Sequence, residues 1–187
     1  GGGLERYALS AFMTLDKSGN ILETELCESI IKSRVRGVYS EINNIFENGE
    51  KSGFSEKYRE VLPSLSEMHG LYKILKQRSD ARGALELDTL EAKIIVNEKG
   101  EPVDIVARER GDAEMMIEQF MLCANEGVAT YLTNMSVPCV YRIHETPTPE
   151  KVENFAAFAR GVGLDTRQLH AKKLFPSAFT AIMNEAK

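Results

Sequence analysis

Residues 110–135, RGDAEMMIEQFMLCANEGVATYLTNM, carry the pattern of one long amphipathic helix. At 100° per residue, most of the apolar side chains share one half of the helix surface. These are Ala113, Met116, Ile117, Phe120, Met121, Ala124, Val128, Tyr131, Leu132 and Met135. Leu122, Cys123 and Ala129 extend this apolar surface, and Gly111 or Asp112 can cap the start. Since each large buried side chain contributes about 1.5–3 kcal/mol, we expect this to be the central helix, with little of its middle facing water.

Three polar residues interrupt the apolar pattern of this helix: Glu118, Asn125 and Glu126. Glu118 and Asn125 lie seven residues apart and therefore point the same way, at the edge of the apolar half. Two interpretations are open at this level. These side chains are either solvated or satisfied by neighbouring loops, or they fix a loop at a functional cleft.

The composition predicts one globular domain. The chain has 187 residues, of which 43% are hydrophobic and 27% charged, and it contains no tryptophan. No apolar run approaches the ~20 residues of a membrane helix, and no signal peptide is expected. The odd number of distant cysteines suggests neither a disulfide framework nor a zinc site, so a reducing cytoplasm is the expected compartment. Residues 1–3 are glycines, interpreted as an expression remnant or a frayed end.

The net charge of −5 argues mildly against nucleic acid on an open surface, because phosphate neutralisation dominates that kind of binding. One basic cluster stands out, formed by Lys32, Arg34 and Arg36.

Alternating and turn-flanked apolar segments predict strands. They cover residues 7–15, a segment from 21, and residues 84–88, 91–97, 101–109 and 137–144. Turn residues at 16–20 and 97–100 make two antiparallel hairpins. Helical spacing predicts helices around residues 38–48, 65–75 and 149–161, with a weakly helical end. The predicted class is therefore α+β, with two hairpins packed against the central helix and several shorter helices.

No sequence motif for phosphate, metal or nucleophilic chemistry is present. The acids Asp80, Glu86, Asp88 and Glu91 form either a solvated rim or a possible Mg²⁺ site. His69 lies beside an apolar helical seam, and we interpret it as a packed or surface residue in preference to a metal ligand.

Six segments in order resemble the catalytic domain of the ribonuclease II and ribonuclease R family, the RNB-type 3′→5′ exoribonucleases. They are ALS (8–10), DKSG (16–19), KSRVRGVY (32–39), RGALELDTLEAKI (82–94), IEQFMLCANEGVA (117–129) and YRIHETPTPEK (141–151). Ser33, Arg36 and Tyr39 match the family's S-x-A-R-x-T-Y pattern, whereas Val35 and Val38 replace the usual Ala and Thr. Leu26 and Cys27 stand where family members carry aromatic side chains, which puts base stacking near Cys27 in doubt.

The resemblance implies a processive, Mg²⁺-dependent exoribonuclease that degrades single-stranded RNA to nucleoside monophosphates. In this family, aspartates upstream of the ALS strand hold the metal, and a downstream arginine motif supports the cleaved phosphate. Neither motif occurs in these 187 residues. Residues 4–187 are therefore expected to be an internal part of an RNB-type domain, without the flanking oligonucleotide-binding domains and inactive alone. The alternatives are a catalytically inactive RNB-like scaffold that binds RNA or protein, or an unrelated interaction domain.

By the same resemblance, the residues present are expected to line or support an RNA channel. Arg82 would contact a phosphate, or else pair with Asp80 or Asp88. Arg142 and His144, two apart on a predicted strand, would share the channel face, or instead bind neighbouring carboxylates such as Glu145.

The remaining candidate residues have supporting roles. Asn125 and Glu126 would position a channel loop, and Arg36 and Tyr39, one helical turn apart, would form a cation–π or hydrogen-bonded pair. Single-stranded RNA is the expected partner, with no DNA and no membrane, and no catalytic or metal-binding residue is expected within this chain.

Overall fold

A computed structural model describes residues 2–85, 91–108, 110–143, 145–170 and 174–186. The strands are β1 (Glu5–Leu15), β2 (Ile21–Lys32), β3 (Glu91–Val96) and β4 (Pro102–Arg108). The helices are α1 (Tyr39–Asn48), α2 (Ser55–Tyr58), α3 (Leu62–Ala81), α4 (Asp112–Asn134), α5 (Pro149–Gly161) and α6 (Pro176–Glu185). Two short 3₁₀ turns cover Gly49–Ser52 and Arg167–His170. The predicted α+β class is confirmed.

Both predicted hairpins are present, each as a two-stranded antiparallel sheet. In the first, the Asp16 carboxylate accepts hydrogen bonds from the backbone N–H groups of Ser18 and Asn20, both at 2.8 Å. Gly19 follows at φ +80°, a conformation that glycine adopts without steric cost. Asn97 has the same role in the second hairpin, where its side chain accepts from the backbone of Lys99 and Glu101. Short-range turn chemistry therefore fixes both hairpins.

Helix α4 packs against α1, α3 and both strands of the first hairpin, so its central position is confirmed. The hairpin approaches closely at Gly127, where an added Cβ would lie 3.0 Å from Met13 Sδ and 3.2 Å from Thr24 Oγ1. Beside it, Cys123 is buried against Met13. A residue without a side chain thus allows the hairpin to lie directly on the helix.

The expectation that little of the middle of α4 faces water is wrong. Met121 and Leu122 are 61% and 42% exposed, and Phe120 is only half-buried. The residues of α4 that are buried are Ala113, Met116, Cys123 and Gly127. The buried face of α4 is narrower than the apolar half predicted from the sequence, because neighbouring elements cover only part of the helix circumference.

The start of α4 is held by a residue of α1. Gly111 is the N-cap, as one of the two predicted alternatives had it. Asn43 Oδ1 accepts a hydrogen bond from the backbone N–H of Ala113 at 2.7 Å, and Asn43 Nδ2 donates to Glu114 Oε2 at 2.8 Å. One amide thus satisfies a helix N–H that has no partner within the helix, and it joins the two helices.

His69 is a packed residue, as interpreted from the sequence. Its ring stacks on Phe46 with centroids 4.0 Å apart, and a 2.7 Å hydrogen bond joins its Nε2 to Asp112 Oδ2. The ring therefore connects α1, α3 and the first turn of α4.

Two local predictions are wrong. Residues 137–143 form no strand, because no described segment pairs with them, and Val140 and Ile143 are 100% and 76% exposed. Arg36 and Tyr39 are not one helical turn apart, because α1 begins only at Tyr39 and Val38 is extended. His144 lies outside the described residues.

Two clusters of buried apolar side chains are present. The first joins α1, α2, α3 and α4 through Ile42, Ile45, Tyr58, Leu65 and Ala113. The second joins α5, the 3₁₀ turn and α6 through Ala156, Ala159, Leu169 and Ile182. A hydrogen bond from Thr180 Oγ1 to the Gly83 carbonyl, at 3.0 Å, ties α6 to the chain just after α3. Within the described residues, no helix is long and apolar enough to cross a membrane.

Candidate functional site

A polar cleft of about 470 Å³ lies where the β1–β2 turn meets the last turns of α3. Its lining consists of Lys17, Ser18, Asn20, Ile74, Gln77, Arg78, Ala81 and Arg82. We name it the arginine cleft. The helix end is defined by Gly83, whose φ of +84° stops α3 directly after Arg82. The turn predicted at residues 16–20 and the helix end at Gly83 therefore set the two walls of this cleft.

Glu126 of α4 holds the two arginines of the cleft. Its Oε1 lies 2.9 Å from Arg82 Nη1, and its Oε2 lies 3.3 Å from Arg78 Nη1. Arg78 Nε also donates to Asn20 Oδ1 at 3.2 Å, which links the pair to the β1–β2 turn. Arg78 and Arg82 share a face of α3 because they are four residues apart. One carboxylate thus orients two guanidinium groups.

The structure gives an ion-pair partner for Arg82 and for one of the two acids considered beside it. Of the two alternative acids, Asp80 pairs with Lys76, with Nζ–Oδ1 at 2.6 Å, and Asp88 lies outside the described residues. The observed partner of Arg82 is Glu126, which was expected from the sequence to position a channel loop. Glu118 has a different role, because it forms an ion pair with Arg110.

A second cleft, of about 340 Å³, lies between β2 and α4. It shares Asn20 and Arg78 with the arginine cleft, and Glu126 forms part of its wall. Glu126 therefore belongs to the lining of this second cleft and not to that of the arginine cleft.

The other candidate residues do not join this group. Asn125 is exposed on α4, and Arg36 and Tyr39 are exposed at the start of α1. Arg142 is exposed in the extended segment after α4, which the Tyr141 hydroxyl ties to Thr133 Oγ1 at 2.7 Å. Among the described candidates, only Arg82 and Glu126 are in contact with each other.

Three residues of the cleft were missed from the sequence: Lys17, Asn20 and Arg78. The i, i+4 spacing from Arg82 was a signal that could have identified Arg78. Asn20 carried no such signal, since it lies 58 residues from Arg78 in the chain and meets it only through tertiary packing.

The described residues contain no group of three or more His, Cys, Asp or Glu that could hold a metal ion. Of the acids considered for Mg²⁺, Glu86 and Asp88 lie outside the described residues, and Asp80 is paired with Lys76. In the part of the chain that the structure describes, the acids therefore form no donor set for a catalytic metal.

Comparison with known proteins gives the family. The model of the RNB domain matches residues 2–187. Ribonuclease R 1 of Lactococcus lactis is 40% identical over 161 residues, covering 86% of this chain and 20% of that protein. Ribonuclease R of Aquifex aeolicus is 34% identical over 181 residues, covering 97% of this chain and 25% of that protein.

The backbone is similar to solved structures of Mycoplasma genitalium RNase R. The complex of that protein with ribose-methylated single-stranded RNA matches with a TM-score of 0.85 at 25% identity, covering 99% of this chain and 28% of that one. Its complex with double-stranded RNA matches with a TM-score of 0.86. The chain thus spans between 20% and 32% of the lengths of these relatives and solved chains. With the RNB model matching nearly every residue, this chain belongs to the RNB domain family.

Proposed function

We propose that this chain is an internal part, over residues 4–187, of the catalytic domain of a processive 3′→5′ exoribonuclease. The proposed substrate is single-stranded RNA, hydrolysed to nucleoside monophosphates in the cytoplasm. The observation that carries the proposal is the RNB match over residues 2–187. The similarity to an RNase R solved with single-stranded RNA supports it.

Mg²⁺ is the metal we propose for the complete enzyme, with its ligands outside the described residues. When bound, such ions activate water and stabilise the leaving oxygen. The residues present here would orient RNA. We propose that Arg82, fixed by Glu126, contacts a phosphate, and that Arg142 and His144 contact the same strand. Supporting contacts are proposed for Arg36, Tyr39 and Asn125.

The direct test incubates 5′-labelled single-stranded RNA with this chain, and separately with the longer protein of which we propose it to be a part. We expect this chain with Mg²⁺ to leave the RNA intact, and the longer protein to shorten it stepwise until EDTA is added. EDTA-sensitive shortening by this chain alone would show that the active site has been misplaced. No shortening by the longer protein would favour the inactive scaffold.

Arg82→Ala in the longer protein is expected to weaken binding of single-stranded RNA by about 10- to 100-fold, because a charge-assisted hydrogen bond is worth about 1.5–3 kcal/mol. The slope of log K against log salt should fall by about 0.7, the value for one phosphate contact on a single strand. Fluorescence anisotropy of labelled RNA at several salt concentrations measures both quantities.

The matched control is Arg59→Ala, which removes an arginine at the end of α2 whose side chain is 79% exposed. Its RNA affinity should equal that of the unchanged protein. Equal losses in the two variants would mean that Arg82 contributes only to overall charge.

A further inference from the structure

The arginine cleft concentrates positive charge on a protein whose net charge is −5. Its lining contains three cations, Lys17, Arg78 and Arg82, together with the polar side chains of Ser18, Asn20 and Gln77. In the part of the chain that the structure describes, no carboxylate contributes to this lining. Such an arrangement favours an anionic ligand.

The arginines keep most of their hydrogen-bonding capacity. A guanidinium group has five N–H donors. Arg78 uses one N–H for Asn20 and one for Glu126, and Arg82 uses one for Glu126. Lys17 is exposed and makes no ion pair with any described residue. Both guanidinium groups are therefore fixed in position while further N–H groups remain able to bind a ligand.

Each of the nearby acids already has a partner within the protein. The Asp16 carboxylate accepts hydrogen bonds within its own turn, from the Asn20 side chain and from the Ser18 and Asn20 backbone. These bonds, led by that of the Asn20 side chain, with a smaller contribution from the charge of Arg78, lower the pKa of Asp16. Asp80 is bound to Lys76, and Glu126, which lines the second cleft, is paired with both arginines. None of these three carboxylates belongs to the lining of the arginine cleft.

We propose that the arginine cleft binds a phosphate group of an RNA strand, with Lys17 and Arg78 acting beside Arg82. Arginine forks match phosphate oxygens in pairs, and lysine adds a point charge. The volume of about 470 Å³ lies within the range of small-ligand sites and accommodates a nucleotide-sized group. Glu126 and Asn20 are positioning residues, since they contact the arginines. Only the choice of RNA as the source of the phosphate rests on the proposed function.

The test uses this 187-residue chain and two probes, inorganic phosphate and a hexamer of oligoadenylate RNA. Amide chemical shifts of Ser18, Gly19 and Asn20 report occupancy of the cleft, and the RNA affinity is measured by anisotropy at several salt concentrations. The variants are Lys17→Ala, which removes an exposed charge, and Arg78→Lys, which keeps the charge and removes the fork. Arg59→Ala is the control.

We expect the RNA to shift the three amides and Arg59→Ala to leave binding unchanged. Lys17→Ala should reduce the salt slope by about 0.7. Arg78→Lys should weaken RNA binding about tenfold at an unchanged salt slope, because the charge is kept while the paired hydrogen bonds are lost. Because Lys17 is exposed, Lys17→Ala should leave the fold intact, and its effect on RNA binding can be measured even if Arg78→Lys disturbs the packing.

The proposal is overturned if RNA binds equally well to Lys17→Ala, Arg78→Lys and the unchanged chain. It is also overturned if inorganic phosphate shifts the amides while RNA does not. The nuclease proposal fails separately: a longer protein that binds RNA through this cleft without shortening it would refute the enzyme and leave the cleft assignment standing.

Discussion

Gly83→Ala is expected to lower the free energy of unfolding by about 2–5 kcal/mol, combining the cost of a left-handed backbone with that of a steric overlap. Gly83 has φ +84°. An added Cβ would lie 2.5 Å from the backbone nitrogen of Ser177 and 2.7 Å from its Cα. Since backbone atoms cannot rotate away as a flexible side chain can, α6 must shift and the bond from Thr180 to the Gly83 carbonyl is lost. Urea denaturation followed by circular dichroism measures the change.

Gly163→Ala is the matched control for Gly83→Ala. Gly163 has a similar φ of +87°, but nothing lies within 4 Å of the position of its Cβ. It should therefore show only the backbone cost of about 1–2 kcal/mol. If the free energy of unfolding falls equally in the two variants, the close contact between Gly83 and α6 does not contribute to the cost of the Gly83 substitution.

Tyr58→Ala is the second large effect, with an expected loss of about 3–5 kcal/mol, the usual cost of truncating a buried aromatic residue. Tyr58 is 1% exposed and lies in the first apolar cluster. Its hydroxyl donates to Glu41 Oε2 at 2.6 Å and accepts from the backbone N–H of Val38 at 3.0 Å. Removing the ring therefore leaves a cavity, and it also removes the contact that fixes the start of α1.

Tyr58→Phe separates these two contributions, because it keeps the ring and removes only the hydroxyl. We expect a loss of about 1–3 kcal/mol, the cost of leaving a polar group without its partner. Tyr39→Ala, at a position that is 43% exposed, serves as the control and should be nearly neutral. A Tyr58→Ala variant as stable as Tyr39→Ala would show that the first apolar cluster does not depend on this ring.

The elements that sequence predicted best are those whose determinants are adjacent in the chain. The Asp16 and Asn97 turns have their donors and acceptors within four residues. Thr148 caps α5 by accepting from the backbone N–H of Lys151, as expected from its position before Pro149. Such contacts do not depend on how distant segments pack, so a local sequence pattern is sufficient to predict them.

The errors arose where a neighbouring segment decides the outcome. The alternation in residues 137–144 suits a strand, but a strand forms only with a partner, and none of the described segments provides one. Likewise, the periodicity of residues 110–135 correctly predicted a long helix with one apolar half. It could not indicate that Met121 and Leu122 would stay exposed, because that depends on which elements pack against the helix.

The candidate site shows the same division. Sequence alone established the α+β class, the RNB-type resemblance and the interest of Arg82 and Glu126, because residue type and order carry that information. Tertiary structure alone paired those two residues, which lie 44 positions apart, and brought Arg78, Asn20 and Lys17 to the same cleft. The physical reason is that an ion pair between distant segments exists only once their backbones are held in place. Here the packing of α3 and the β1–β2 hairpin against α4 does this.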